Sequence, residues 1–146
     1  MVINYFDYDT LIKVYNKTIF ISGGGSCGIL NKGQIESILQ HIQNDDYYPT
    51  LAKKLTHLFF SLNKFHCFED GNKRIAISAG VLFLNLNGYI FRIKEFVTEM
   101  ENISYHVAEG SIDKDFLEEI ITAIINDDFD DESFKLKIYE AINKDN

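Results

Sequence analysis

Residues 75–86, Ile-Ala-Ile-Ser-Ala-Gly-Val-Leu-Phe-Leu-Asn-Leu, constrain the fold more than any other stretch. At helical spacing Ile75, Ile77, Val81, Leu82, Phe83, Leu84 and Leu86 leave no continuous polar face, and a helix that is apolar nearly all round has to be covered on every side. The run is too short to cross a bilayer and contains Ser78, Gly80 and Asn85, so protein rather than lipid must cover it. With 146 residues the chain can do this as one domain, 1–146, with a single core. One Pro and a 46% share of hydrophobic residues suit helices better than a β fold with many turns. The expected architecture is all-α: a compact bundle around a central buried helix, about Asn72 to Asn87, with at most a short β-hairpin or flap.

The remaining segments supply the cover. Asp9-Thr10 can cap a first helix carrying Leu11, Ile12, Val14 and Tyr15, which fades into the β-branched stretch Thr18 to Ile21. Residues 22–33 read as a Gly-rich loop, and a helix around Gln34 to Ile42 follows. Gly23, Gly25 and Gly28 match the G-x-G-x-x-G spacing of a dinucleotide fold, with Asp45 or Asp46 where a ribose-binding acid would lie. No strand-helix-strand unit repeats downstream, which argues against that fold and for a turn-forming loop able to act as a flap. Thr50 caps the next helix, where Leu51, Leu55, Leu58, Phe59, Leu62 and Phe65 form a core-facing stripe. His57 sits beside that stripe without an evident chemical partner and reads as structural.

After the central helix, Asn87-Gly88 is a stop signal and residues 89–93 read as a short extended exit. A helix over residues 95–109 closes at Gly110. The following helix starts at Asp113 or Asp115, with Asp115 and Glu118 at capping-box spacing. The acidic run 126–132 lacks the Gly of a calcium loop and reads as a solvated linker. A last amphipathic helix begins at Ser133 and uses Phe134, Ile138 and Ile142.

Chemistry concentrates in His66-Cys67-Phe68-Glu69-Asp70-Gly71-Asn72-Lys73-Arg74, directly before the buried helix. Asp70-Gly71-Asn72 is a turn, so backbone N–H groups from Gly71 onward are the free donors of a helix N-terminus, which favours an anion. Lys73 and Arg74 stand in a first turn where the helix dipole disfavours cations, a cost that a bound phosphate offsets. Asp70 suits Mg²⁺ bridging phosphate oxygens, and the near-neutral pKa of His66 suits a general base. Phe68 reads as a packing anchor, and Cys67 and Glu69 carry no assigned role. Taken singly, each of these residues has a bland reading as turn, cap or surface residue. Four polar roles in one short connection between two core helices favour a site.

His66-x-Phe68-x-Asp70-Gly71-Asn72-Lys73-Arg74 resembles the pattern H-x-F-x-(D/E)-(A/G)-N-(G/K)-R of the Fic/Doc family. The stretches Gly23-Gly24-Gly25 to Ile38, Tyr48-Pro49-Thr50, Leu82 to Tyr89 and Ala108-Glu109-Gly110 also resemble Doc toxins. The resemblance implies a Fic/Doc-type helical bundle. Fic proteins that transfer AMP usually have Gly before the Arg and a second Arg three residues later; here those places hold Lys73 and Ile77, as in Doc, whereas Gly71 is shared with AMP-transferring relatives. The Doc resemblance implies a toxin kinase that moves the γ-phosphoryl group of ATP to a threonine of elongation factor Tu and is silenced by a separate antitoxin chain. It assigns His66 as general base and Asp70 as Mg²⁺ ligand. Asn72 and the backbone after Gly71 form the anion hole, with Lys73 and Arg74 as phosphate clamp. The alternatives are Fic-type AMP transfer and a catalytically silent module that binds an anionic partner.

Two segments approach the family's inhibitory pattern (S/T)-x-x-x-E-(G/N). Residues 105–110 begin with Tyr105 and residues 97–102 with Val97, so neither fits and inhibition in cis is not expected. A net charge of −8 argues against a direct nucleic-acid partner. Cys27 and Cys67 lack metal-ligand spacing and read as reduced thiols, and the N-terminus lacks a signal-peptide pattern. A cytoplasmic protein without a membrane partner is expected.

Overall fold

The structure, a computed structural model, describes residues 2–21, 31–64 and 72–143. Every regular element among them is helical: α1 (Tyr8–Ile21), α2 (Lys32–His41), α3 (Leu51–Lys64), α4 (Asn72–Leu86), a 3₁₀ turn (Ile90–Arg92), α5 (Ile93–Glu109), α6 (Lys114–Ile125) and α7 (Glu132–Ile142). The all-α expectation holds, and a doubly wound dinucleotide fold is excluded, since none of its strands is present among these residues. Residues 22–30 of the Gly-rich segment assigned to a loop or flap lie outside the described residues, while Lys32 and Gly33, assigned to the same loop, open α2 because Asn31 Oδ1 caps it by accepting from the Gln34 N–H at 3.0 Å.

The apolar run behaves as its pattern requires. α4 packs against α1, α3 and α5, and Ile75, Ala76, Ala79, Phe83 and Leu84 are buried. Within residues 75–86 only Asn85 and Leu86, in the last turn, are exposed. Gly80 marks the closest approach: a Cβ there would lie 2.4 Å from Phe96 Cζ on α5 and 3.4 Å from Leu55 Cδ1 on α3. α3 in turn buries Leu55, Leu58, Phe59 and Leu62 and touches α2, α4, α5 and α6. The two helices with the broadest apolar faces therefore meet at the centre, and the remaining helices cover them.

Several boundaries differ from the sequence reading, each because another side chain or another geometry satisfies the free backbone groups. α1 is capped by Asp7, whose Oδ1 accepts from the Thr10 N–H at 2.9 Å, and hydrogen bonding to Thr10 holds the Asp7 carboxyl below the usual carboxylate range. The helix then runs through the β-branched stretch to Ile21. The predicted extended exit after α4 is instead a helical reversal. Gly88 adopts φ +83°, the Tyr89 N–H donates to Leu84 O at 2.9 Å and the Gly88 N–H to Asn85 O at 3.3 Å, which is the paired bonding of a Schellman motif. Of the two starts read for α6, Asp113 is the cap, accepting from the Phe116 N–H at 2.8 Å. Asp115 lies inside the helix, and the Glu118 carboxylate accepts from Lys53 Nζ at 3.0 Å, so the predicted capping box does not form.

Two stops and starts follow the reading: Thr50 Oγ1 accepts from the Lys53 N–H at 3.1 Å, and Gly110 closes α5 at φ +98°. α7 begins at Glu132 rather than Ser133, because Asp131, within the run read as a linker, caps it by accepting from the Phe134 N–H at 3.0 Å. Within the acidic linker, Asp127 accepts from an Arg92 guanidinium N–H at 2.8 Å.

Gly80→Ala is expected to destabilise the protein by about 1–3 kcal/mol, because overpacking against the Phe96 ring outweighs the gain in helix propensity. A urea titration of both proteins checks this, and an unchanged midpoint would contradict the close-approach argument.

Candidate active site

α3 and α4 are antiparallel neighbours in sequence, and the motif occupies the connection between them. Asn63, buried near the end of α3, donates from Nδ2 to Ser104 O on α5 at 2.9 Å, and the Ser104 hydroxyl donates to Met100 O one turn back. This tie fixes where α3 ends and the connection begins. On the far side, Asn72, Lys73 and Arg74 form the first turn of α4, and that turn contains no acidic residue. Lys73 is exposed and Arg74 half-buried, while Ile75 directly after them is fully buried. The structure therefore brings Asn72, Lys73 and Arg74 to the N-terminus of the buried helix, as predicted. His66, Asp70 and Gly71 lie outside the described residues, as do Cys27, Cys67, Phe68 and Glu69.

The arrangement at the start of α4 suits an anion. Free N–H groups of a long helix and two cations with no carboxylate in the same turn present positive potential at one point. Ile77, one turn further on, is half-buried and packs against the core, so apolar packing fills the position of a second cation. Among the described residues no group of three His, Cys, Asp or Glu side chains could hold a metal ion. An open cleft of about 580 Å³ between α6 and α7 is lined by Thr122, Ala123, Phe134 and neighbouring polar residues and includes none from α4. It lies apart from the motif's helix.

His57 gains in the structure the chemical partners that the sequence did not disclose. Its Nδ1 lies 2.9 Å from Lys114 Nζ, 3.1 Å from the Tyr48 hydroxyl and 3.4 Å from the Ser61 hydroxyl. Tyr48 stacks on the imidazole with ring centroids 4.4 Å apart. Ser61 is one helical turn along α3 and was legible from spacing, whereas Lys114 comes from α6 and was not. Burial, with the charges of Lys114 and His41 adding to it, lowers the His57 pKa from 6.5 to about 4. Burial also holds Lys114 below the usual lysine range.

Residues 5–84 match the model of the Fic/DOC family. The chain is a Doc-like member of the Fic/DOC family. It is 31% identical over 99 residues, 65% of this chain and 76% of the relative, to Toxin Doc of Mycolicibacterium smegmatis. No solved structure matches the chain.

The His57 shift makes a stability prediction. Protonation disfavours the folded state because the folded pKa lies below the unfolded one, so this contribution is complete above pH 6.5 and declines as the pH falls towards 4. His57→Gln is expected to flatten that part of the curve of urea midpoint against pH. A mutant curve parallel to the wild type over that window would contradict the assignment.

Proposed function

We propose that this protein is the toxin of a toxin–antitoxin pair and acts as a protein kinase. It would transfer the γ-phosphoryl group of ATP to a serine or threonine hydroxyl of a translation factor, elongation factor Tu by family resemblance, and so arrest translation in the cytoplasm. The observation that carries this reading is the first turn of α4. Lys73 and Arg74 stand there in a turn that itself contains no acidic residue, and half-buried Ile77 packs against the core where AMP-transferring relatives place a second Arg.

In this reading the nucleotide's terminal phosphates lie at the N-terminus of α4. The backbone N–H groups after Gly71, with Asn72, hold the phosphate oxygens, and Lys73 and Arg74 neutralise the charge that spreads over them during transfer. His66 accepts the proton of the attacking hydroxyl. The target oxygen forms a bond to the γ-phosphorus, the bond to the bridging oxygen breaks, and ADP leaves. Asp70 would hold Mg²⁺, which when bound supplies further charge neutralisation between phosphate oxygens. Catalysis is then a matter of positioning and electrostatics, with no covalent intermediate on the protein.

The near-matches to an inhibitory segment, residues 97–102 and 105–110, fall on α5 and its C-cap. Since neither has the required sequence, silencing is assigned to a separate antitoxin chain. Gly71 is the feature shared with AMP-transferring relatives, and AMP transfer is the competing reaction.

Incubation of the protein and a cell lysate with ATP radiolabelled at either the α- or the γ-phosphate separates the two. Label from the γ-phosphate alone is expected on the target, and label from the α-phosphate would replace phosphoryl transfer by AMP transfer. His66→Ala is expected to lower transfer by about 100-fold or more while leaving the thermal transition intact. Unchanged transfer and unchanged growth inhibition would remove the catalytic reading altogether.

A further inference from the structure

The cluster around His57 has more donors than it can satisfy. A single imidazole lone pair at Nδ1 faces the Lys114 ammonium at 2.9 Å and the hydroxyls of Tyr48 and Ser61 at 3.1 and 3.4 Å, and it can accept from only one of them at full strength. With Nδ1 accepting, Nε2 carries the ring proton, and Nε2 is buried without a partner. No carboxylate forms an ion pair with Lys114 among the described residues; the nearby Glu118 is held by Lys53 at 3.0 Å. The Lys114 ammonium brings three N–H donors and no ion-pair partner among the described residues to this cluster, so an added carboxylate gives it an anionic acceptor.

The patch is also elongated and partly apolar. Lys114 Nζ lies 5.8 Å from the Phe60 ring centroid, and Lys64 Nζ lies 5.3 Å from the same ring. His57, Phe60 and Lys64 recur at three and four along α3, so they form one stripe, and Lys64 is the last residue before the motif connection. Lys64, like Lys114, forms no ion pair among the described residues, although the chain as a whole carries a net charge of −8 and pairs Lys53, Lys54, Lys135 and Lys137 with acids. Two lysines without an ion pair among the described residues, separated by a half-buried aromatic ring, fit an extended segment that alternates carboxylates with apolar side chains better than they fit one compact phosphate.

We infer that the stripe from Tyr48 and Lys114 across Phe60 to Lys64 is a docking track for an acidic, apolar-interspersed segment of the protein substrate, leading it to the motif. A substrate carboxylate accepts from Lys114 and the Tyr48 hydroxyl, an apolar side chain covers Phe60, and a second carboxylate meets Lys64. The inference rests on the reading that the substrate is a protein, but the track is separate from the α4 N-terminus, where the nucleotide phosphates are placed.

Fluorescence anisotropy with a fluorescein-labelled peptide of alternating glutamate and leucine, titrated with the full chain in the absence of nucleotide, tests this. Binding is expected, weakening as salt rises, with Lys114→Met reducing affinity by about tenfold and Lys114→Arg retaining it. Lys64→Glu, which leaves the His57 cluster untouched, is expected to weaken binding to a similar extent and serves if Lys114→Met unfolds in a thermal melt. Absence of binding, equal binding by Lys114→Met and Lys64→Glu, or displacement of the peptide by ATP or inorganic phosphate would each overturn the proposal. Because no transfer is read, the result is independent of the labelled-ATP experiment.

Discussion

The structure depends on covering α4. A helix with apolar side chains nearly all round is stable in water only if other elements exclude solvent from every side, and here α1, α3 and α5 do so. Gly80 lets α4 approach the Phe96 ring and Leu55 closely, so the contact is fixed by shape as well as by hydrophobicity. The same helix carries Lys73 and Arg74, with no acidic residue, in its first turn, directly before the buried Ile75 and Ala76.

α3 links this centre to the surface. One face, with Leu55, Leu58, Phe59 and Leu62, belongs to the core. Its polar residues each tie a different element. Buried Lys54 donates to Ile42 O and to Asp45, both at 2.7 Å, which closes the α2–α3 turn. Burial by itself lowers the Lys54 pKa, but its contacts with Asp45 and Tyr5 outweigh that and hold it above the usual lysine value. Asn63 ties the other end of α3 to α5. These buried polar groups are satisfied by partners from distant segments, so they select one arrangement of the helices rather than merely adding stability. The N-terminal segment is fixed in the same manner: Asn4 and Asn87 exchange hydrogen bonds of 2.8 and 3.0 Å between side chain and backbone.

Much of the fold was legible from local pattern. The buried helix, the stripe on α3, the Thr50 cap and the Gly110 stop all express short-range physics, in which spacing or one side chain satisfies a few neighbouring backbone groups. The misreadings share one cause. Tyr89-Ile90-Phe91 has the residue types of a strand, but a strand needs a partner, and the Schellman bonding after Gly88 turned the chain into another helix instead. Asp9 and Asp115 were plausible caps by composition, and only the position of the first helical hydrogen bond distinguished them from Asp7 and Asp113. Of the candidate site, Asn72, Lys73 and Arg74 could be placed because they open a helix whose apolar pattern is unmistakable.

The sequence by itself determined that one helix must be buried and that the residues leading into it, His66 to Arg74, follow the pattern of the Fic/DOC family. These follow from periodicity and from side-chain chemistry over a few consecutive residues. Only the tertiary structure decided that His57 would meet Lys114, 57 positions away in the chain, and that Glu118 would be held by Lys53 instead of capping its own helix. It also decided that Ile77 would pack against the core. Contacts between segments distant in sequence depend on how helices cross, and crossing is set by the shape of the whole core rather than by any local run of residues.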